Sequence, residues 1–183
     1  MAVITGGNII DSGAGEIVQM GGAPGAGTDE VQTITIGGTP EAGSTFRISF
    51  DGWVTAPIPW ANVNATLIAS IDAALEALPN IGTGGVVTAV GTMTTGVGTA
   101  TVTFSGAAMA KRNVALAVGS DFLQSSGAAS AGTIAIATTT PGVDAAFRDS
   151  AKGQLLVDTT NGILYINTGV AGAPTWTKVG TQT

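Results

Sequence analysis

The sequence predicts an α+β protein, mostly antiparallel β-sheet or sandwich with one amphipathic helix (about 64–78) packed on it, an extended N-terminal arm and a C-terminal β-hairpin. Three observations carry this. Short stretches with apolar residues at every second position recur along the chain, separated by Gly, Ser and Thr turns. A single stretch has helical periodicity. The order is two strands, the helix, then several strands, without the regular alternation of a parallel α/β fold.

Taken in order, residues 1–30 form a Gly/Ala-rich arm with two short apolar clusters, Val3-Ile4 and Ile17-Val18, and too little apolar surface to fold alone. The core domain is expected over 31–138, opening with VQTITI (31–36) and TFRISF (45–50). In the second stretch Phe46, Ile48 and Phe50 alternate with Arg47 and Ser49, the mark of a half-buried strand. The turn-forming linker GGTPEAGS predicts that these two strands pair as a hairpin. Pro57 and Pro59 exclude a central strand in DGWVTAPIPW.

The helix is NATLIASIDAALEALPNIG (64–82). Leu67, Ile71, Leu75 and Leu78 make one apolar stripe with Ile68 alongside; Asn64 is the expected N-cap, and Pro79 with Gly82 ends the helix. Strands are then expected at 85–90, 99–104, 113–118 and 132–137, followed by a linker over 139–152. The C-terminal segment, 153–183, holds the hairpin and a last strand around 175–179.

That hairpin, GQLLVDTTNGILYINTG (153–169), carries an Asn-Gly pair, a strong tight-turn signal. A two-residue turn at Asn161-Gly162 sets Thr160 opposite Ile163, Asp158 opposite Tyr165 and Val157 opposite Ile166. Leu155, Val157, Leu164 and Ile166 then share one face, and Leu156, Ile163 and Tyr165 the other, so both faces need cover. A longer loop with a bulge at Gly162 would shift the register by one and reassign the faces.

Composition narrows the function. Lys and Arg total 6 against 12 Asp and Glu, for a net charge of −6, and the cations are too sparse to line a phosphate-tracking groove. Nucleic acid is therefore not an expected partner. No apolar run is long enough to span a membrane, and MAVITGGNII lacks the pattern of a secretory signal, so no membrane is expected either. Charged residues make up 10% of the chain, against about 25% in typical globular proteins. A surface so poor in charge fits one committed to other subunits.

Chemistry finds little to work with. The absence of His and Cys removes the commonest general base, the commonest metal ligand and thiol catalysis. Lys111, Lys152 and Lys178 do not follow P-loop spacing, and no nucleophile elbow or dinucleotide-binding glycine pattern occurs. Asp72 and Glu76, one helical turn apart, are the best carboxylate pair for acid/base work and read more simply as a solvated face. Asp11 with Glu16, or Asp29 with Glu30, could offer oxygens to Ca²⁺, without any recognisable ligand loop. Asn64-Ala65-Thr66 matches the glycosylation sequon and reads as a helix cap, and Lys111-Arg112 as a charge that blunts an edge or turn. No enzyme activity, cofactor or metal is expected. Trp53 and Trp60 in the Pro-broken loop, with Tyr165 and Trp176 in the closing strands, are either interface anchors or caps on their own sheet.

Two segments carry a family resemblance. GTDEVQTITIGGTPEAGSTFRISFDG, followed by ALEALPNIGTGGV and TATVTFSG, resembles a module of tailed-phage virion proteins. The ending PGVD…GQLLVDTTNGILYINTGVAGAPTWTKVG is similar to the C-terminal segment of phage head-decoration or head-fibre proteins, and MAVITGG fits the leader of that group. The matches run from about residue 28 onward, with a gap around 119–131. The resemblance implies a capsid decoration or head-fibre protein, made and assembled in the host cytoplasm and located on the capsid surface of the virion. Its implied partners are the major capsid protein and copies of itself, a trimer being favoured; the alternative is a tail-tube or tail-fibre/adhesin subunit. The candidate partner interface is Val3, Ile4, Ile17, Val18, Trp53, Trp60, Leu156, Ile163, Tyr165 and Trp176.

Overall fold

The computed structural model describes residues 17–21, 23–106, 108–120 and 131–181. Its elements are β1 (Ile17–Met20), β2 (Val31–Thr39), β3 (Thr45–Phe46), β4 (Ile48–Phe50), β5 (Trp53–Val54), β6 (Ile58–Pro59), α1 (Asn64–Glu76), β7 (Val86–Val90), β8 (Gly98–Phe104), β9 (Val118–Gly119), β10 (Ala131–Thr140), β11 (Leu155–Asp158), β12 (Ile163–Asn167) and β13 (Trp176–Lys178). The protein is β-rich, its sheets mostly antiparallel, with one short helix among the described residues, as the α+β expectation requires. The chain divides into two compact units: Asp29–Gly142, and the chain up to Thr28 together with Val143 onward.

The Asp29–Gly142 unit is built on a four-stranded antiparallel sheet in the order β10-β2-β8-β7. Alternation explains its inner face: Gln32, Ile34 and Ile36 of β2 and Ala100, Val102 and Phe104 of β8 are buried on one side. The helix stripe Leu67, Ile71 and Leu75 joins the same core, together with Phe46, Ile48, Phe50 and Ile58. Phe50 and Phe104 stack with ring centroids 5.1 Å apart.

Three expectations for this unit are corrected. The stretches 31–36 and 45–50 do not pair with each other. Both edges of β2 are taken, by β8 and β10, while β4 pairs with β5 and β9, and β3 with β6. The turn that decides this is Asp51-Gly52, with φ of 46° and 82°, which folds β5 directly back on β4 so that Phe50 faces Trp53. Second, 113–118 is not a strand beyond Val118. Val114 N–H donates to Glu30 Oε2 and Ala117 N–H to Gln32 Oε1, and Gln32 Nε2 donates to the Ala115 carbonyl, so buried side chains of β2 and the residue before it replace a ladder neighbour. Third, Asn64 does not cap α1. Val63 occupies the cap position without a side-chain bond, and Asn64 instead donates to the Met93 carbonyl (2.7 Å) and accepts from Gly96 N–H (2.8 Å).

In the second unit the sheet order is β1-β11-β12-β13. Part of the expected arm is thus a strand: β1 pairs with β11 in parallel, Val18 opposite Leu156. The expected linker 139–152 is not a free connection. Its first residues end β10, and Thr28 bridges Val143, Ala146 N–H donates to the Gly25 carbonyl, and Ala145 and Ser150 are buried.

The hairpin register also differs. Asp158 lies opposite Ile163 and Val157 opposite Leu164, so the loop is Thr159–Gly162 and each expected partner is displaced by two positions. An even displacement leaves every side chain on its expected face. The cause is Asp158, which is fully buried: Oδ1 accepts from the N–H groups of Thr160 and Asn161, and Oδ2 from Asn161 Nδ2 (2.7 Å).

Candidate partner interface

Val3 and Ile4 lie outside the described residues, and Ile17 and Val18 are placed only by their strand, β1. The other six nominated residues separate sharply. Leu156 (0% exposed) and Tyr165 (7%) are the centre of the second unit's small core, against which Ile163, Trp176, Met20 and Phe147 pack. Phe147 and Trp176 meet edge to face, and Trp176 Nε1 donates to the Ala146 carbonyl (3.0 Å). Trp60 is half-buried against the main core and donates from Nε1 to the Gly96 carbonyl (3.0 Å). Leu156 and Tyr165 are closed off inside their own unit, which corrects the expectation that they face a partner, while Trp60, Ile163 and Trp176 are partly buried against the cores of their own units. Trp53, half exposed at the Asp51-Gly52 turn, is the nominated side chain that stays open.

Asp11 and Glu16 lie outside the described residues, and the other carboxylates nominated for chemistry are engaged. Asp72 Oδ1 accepts from Thr88 N–H and Glu76 Oε1 from Gly84 N–H, so both carboxylates fasten α1 to β7 and the loop before it. Asp72 borders an open groove of about 440 Å³ between α1 and β7, whose other walls are alanine, isoleucine, valine and threonine. Asp29 accepts from Lys111 N–H, and Glu30 from Gln32, Val114 and Thr138. No group of three or more His, Cys, Asp or Glu side chains suited to a metal occurs among the described residues.

What remains open is the outer face of the four-stranded sheet. No residue of β2, β7, β8 or β10 is charged. Across this face the ladder rows read Ala137–Thr33–Thr101–Ala89 and Ala135–Thr35–Thr99, with Val31–Thr103–Val87 beside them. Thr35, Val87, Ala89, Thr133, Ala135 and Ala137 are exposed, and Thr99, Thr101 and Thr103 of β8 are half-buried. Thr33 and Thr139 share a hydroxyl–hydroxyl hydrogen bond. A second, largely apolar patch lies on the small sheet, where exposed Val54 and Val118 flank Ser49, with exposed Leu116 in the run before β9 and exposed Arg47 at its border.

Nomination by large aromatic residues missed both surfaces. The signal was present in the outward half of the strand alternation, which is Thr and Ala in TITI, TATVTF and TIAIATTT where a solvated sheet ordinarily carries charge.

No protein-family model, curated protein or solved structure matches the chain.

Proposed function

We propose that this protein is a structural subunit of a tailed-phage virion, a capsid decoration or head-fibre protein that binds the exterior of the shell. The observation that carries the reading is the uncharged, exposed outer face of the β10-β2-β8-β7 sheet. A flat surface of threonine, alanine and valine offers methyl groups and hydroxyls that lose little on desolvation, and it suits burial against another protein. The resemblance to phage virion proteins, from about residue 28 onward with a gap around 119–131, points the same way. The action is mechanical: each copy adds buried area at the junctions of the shell, and a standard interface of about 1,600 Å² repeated over many copies opposes expansion from within. The partners are the major capsid protein and copies of the chain, a trimer being favoured, and the chemistry uses no cofactor and no catalytic residue.

Exposed Trp53 favours a second reading, a tail-fibre or adhesin subunit in which this ring contacts a receptor. Gold-antibody labelling of virions by electron microscopy separates the two. Label over the head is expected, label confined to the tail replaces the first reading by the second, and unlabelled virions overturn both.

A further inference from the structure

Two polar side chains at the entry to β2, Glu30 and Gln32, are each only 1% exposed. Their bonds to Val114, Ala115 and Ala117 hold the run before β9, and that task needs nothing from β10. Yet the Thr138 hydroxyl of β10 also donates to Glu30, at 3.1 Å to Oε1, and Gln32 Nε2 donates to the same oxygen at 2.7 Å. A hydroxyl and a carboxamide thus converge on one buried carboxylate oxygen.

The ladder explains the convergence. Phe104 N–H donates to the Glu30 carbonyl, so the even-numbered residues of β2 exchange backbone bonds with β8 and the odd-numbered ones with β10. Thr138 lies directly opposite Gln32, and the two therefore form a non-hydrogen-bonded pair. In such a pair the Cβ atoms stand about 4.5–5.5 Å apart. A bridge running from Thr138 Cβ through Oγ1 to Gln32 Cδ, Cγ and Cβ spans a distance of that order without displacing either strand.

The remaining contacts complete an arrangement for acyl transfer. A hydroxyl becomes a nucleophile when an adjacent base takes its proton, and Glu30 Oε1 is the acceptor of the Thr138 hydroxyl. Attack on an amide carbon drives negative charge onto the amide oxygen, and Gln32 Oε1 already accepts from Ala117 N–H (2.9 Å). The departing nitrogen needs a proton, and Gln32 Nε2 is bonded to the oxygen that has just collected one. Strand pairing holds both reacting groups in place, which lowers the entropic part of the barrier.

We infer that Thr138 and Gln32 join in an ester within the chain. Thr138 Oγ1 gives its proton to Glu30 and bonds to Gln32 Cδ, Glu30 passes that proton to Nε2, and the Cδ–Nε2 bond breaks as ammonia leaves. One acyl bond replaces another, so the step needs no oxidant or reductant. It occurs once per chain and has no external substrate, and its product is a covalent staple in a structural protein. The staple joins the beginning of the Asp29–Gly142 unit to its end. Tension applied through Asp29 and Gly142 then runs along the ester and bypasses the core between Gln32 and Thr138. The inference is independent of the capsid reading.

The test is mass spectrometry of the full chain, intact and after trypsin. Cleavage at Arg47, Arg112 and Arg148 puts Gln32 and Thr138 on different peptides, 1–47 and 113–148. Wild type is expected to be lighter by one ammonia and to yield these two peptides as one joined species that mild alkali separates. Thr138→Ala, at an exposed position, is expected to keep the wild-type circular dichroism and to show the full mass with two free peptides. Thr138→Ser is expected to retain the joined species, because its hydroxyl meets the same base. Wild type at full mass, an ammonia loss confined to a single peptide, or a joined species that persists in Thr138→Ala overturns the inference.

Discussion

At the scale of single residues, several polar side chains act as local replacements for secondary structure. Asp158 accepts three hydrogen bonds within its loop while fully buried, so Asp158→Ala strands two backbone donors. The expected loss is about 2–3 kcal/mol of stability in the unit that holds the hairpin, read by chemical denaturation, and Asp158→Asn should recover part of it because one acceptor oxygen remains. Trp53 and Trp60 look equivalent in sequence and behave oppositely. Trp53→Ala should change stability by less than about 0.5 kcal/mol, as for exposed positions generally. Trp60→Phe removes the donor to Gly96 and should cost about 1 kcal/mol, seen as a lowered denaturation midpoint.

At the scale of elements, the hairpin joining β7 and β8 depends on close approach. Its turn residues Thr95 and Gly96 have φ of 48° and 76°, and a Cβ on Gly96 would lie 2.3 Å from the Ala61 carbonyl oxygen. Gly96→Ala therefore combines backbone strain with a clash against the segment that leads into α1. It should destabilise the Asp29–Gly142 unit by about 2 kcal/mol or more, measured by urea denaturation. The extended run 113–117 depends equally on a few groups. Glu30→Leu leaves Val114 N–H without its acceptor, and amide hydrogen exchange at Val114 and Ala117 should quicken together while exchange in the middle of β8 stays slow.

At the scale of the whole molecule, the Asp29–Gly142 unit has its own core and its own ladders, whereas the other unit joins two distant parts of the chain. Deleting residues 2–27 removes β1 and leaves β11 with β12 as its one described neighbour. The shortened chain should keep the denaturation transition of the Asp29–Gly142 unit, lower that of the unit containing β11–β13, and lose binding to shells in a co-sedimentation assay. Unchanged occupancy on shells would remove the N-terminal region from the docking contact.

Local periodicity was enough to place α1, β2, β7, β8 and the hairpin strands, because the alternation or stripe that marks each is the pattern its buried face requires. It also assigned the hairpin faces correctly despite a wrong turn length, since a displacement of two residues preserves side-chain direction. Asp51-Gly52 was legible by the same rule as Asn161-Gly162 and decides the pairing of β4 with β5. The uncharged outer face, too, stood in the alternation of threonine with isoleucine and valine. Which strands pair, by contrast, is a choice among many chemically similar edges and rests on contacts far apart in sequence. The same holds for Asn64 leaving its cap for Gly96, for Glu30 and Gln32 reaching the run 113–117, and for the burial of Leu156 and Tyr165 with Trp176 packed against them. The sequence by itself determined the class of fold and the inward direction of each strand, because period and composition are local. Strand partners and polar clamps were settled by the folded chain alone, because they depend on what distant segments bring to the same place.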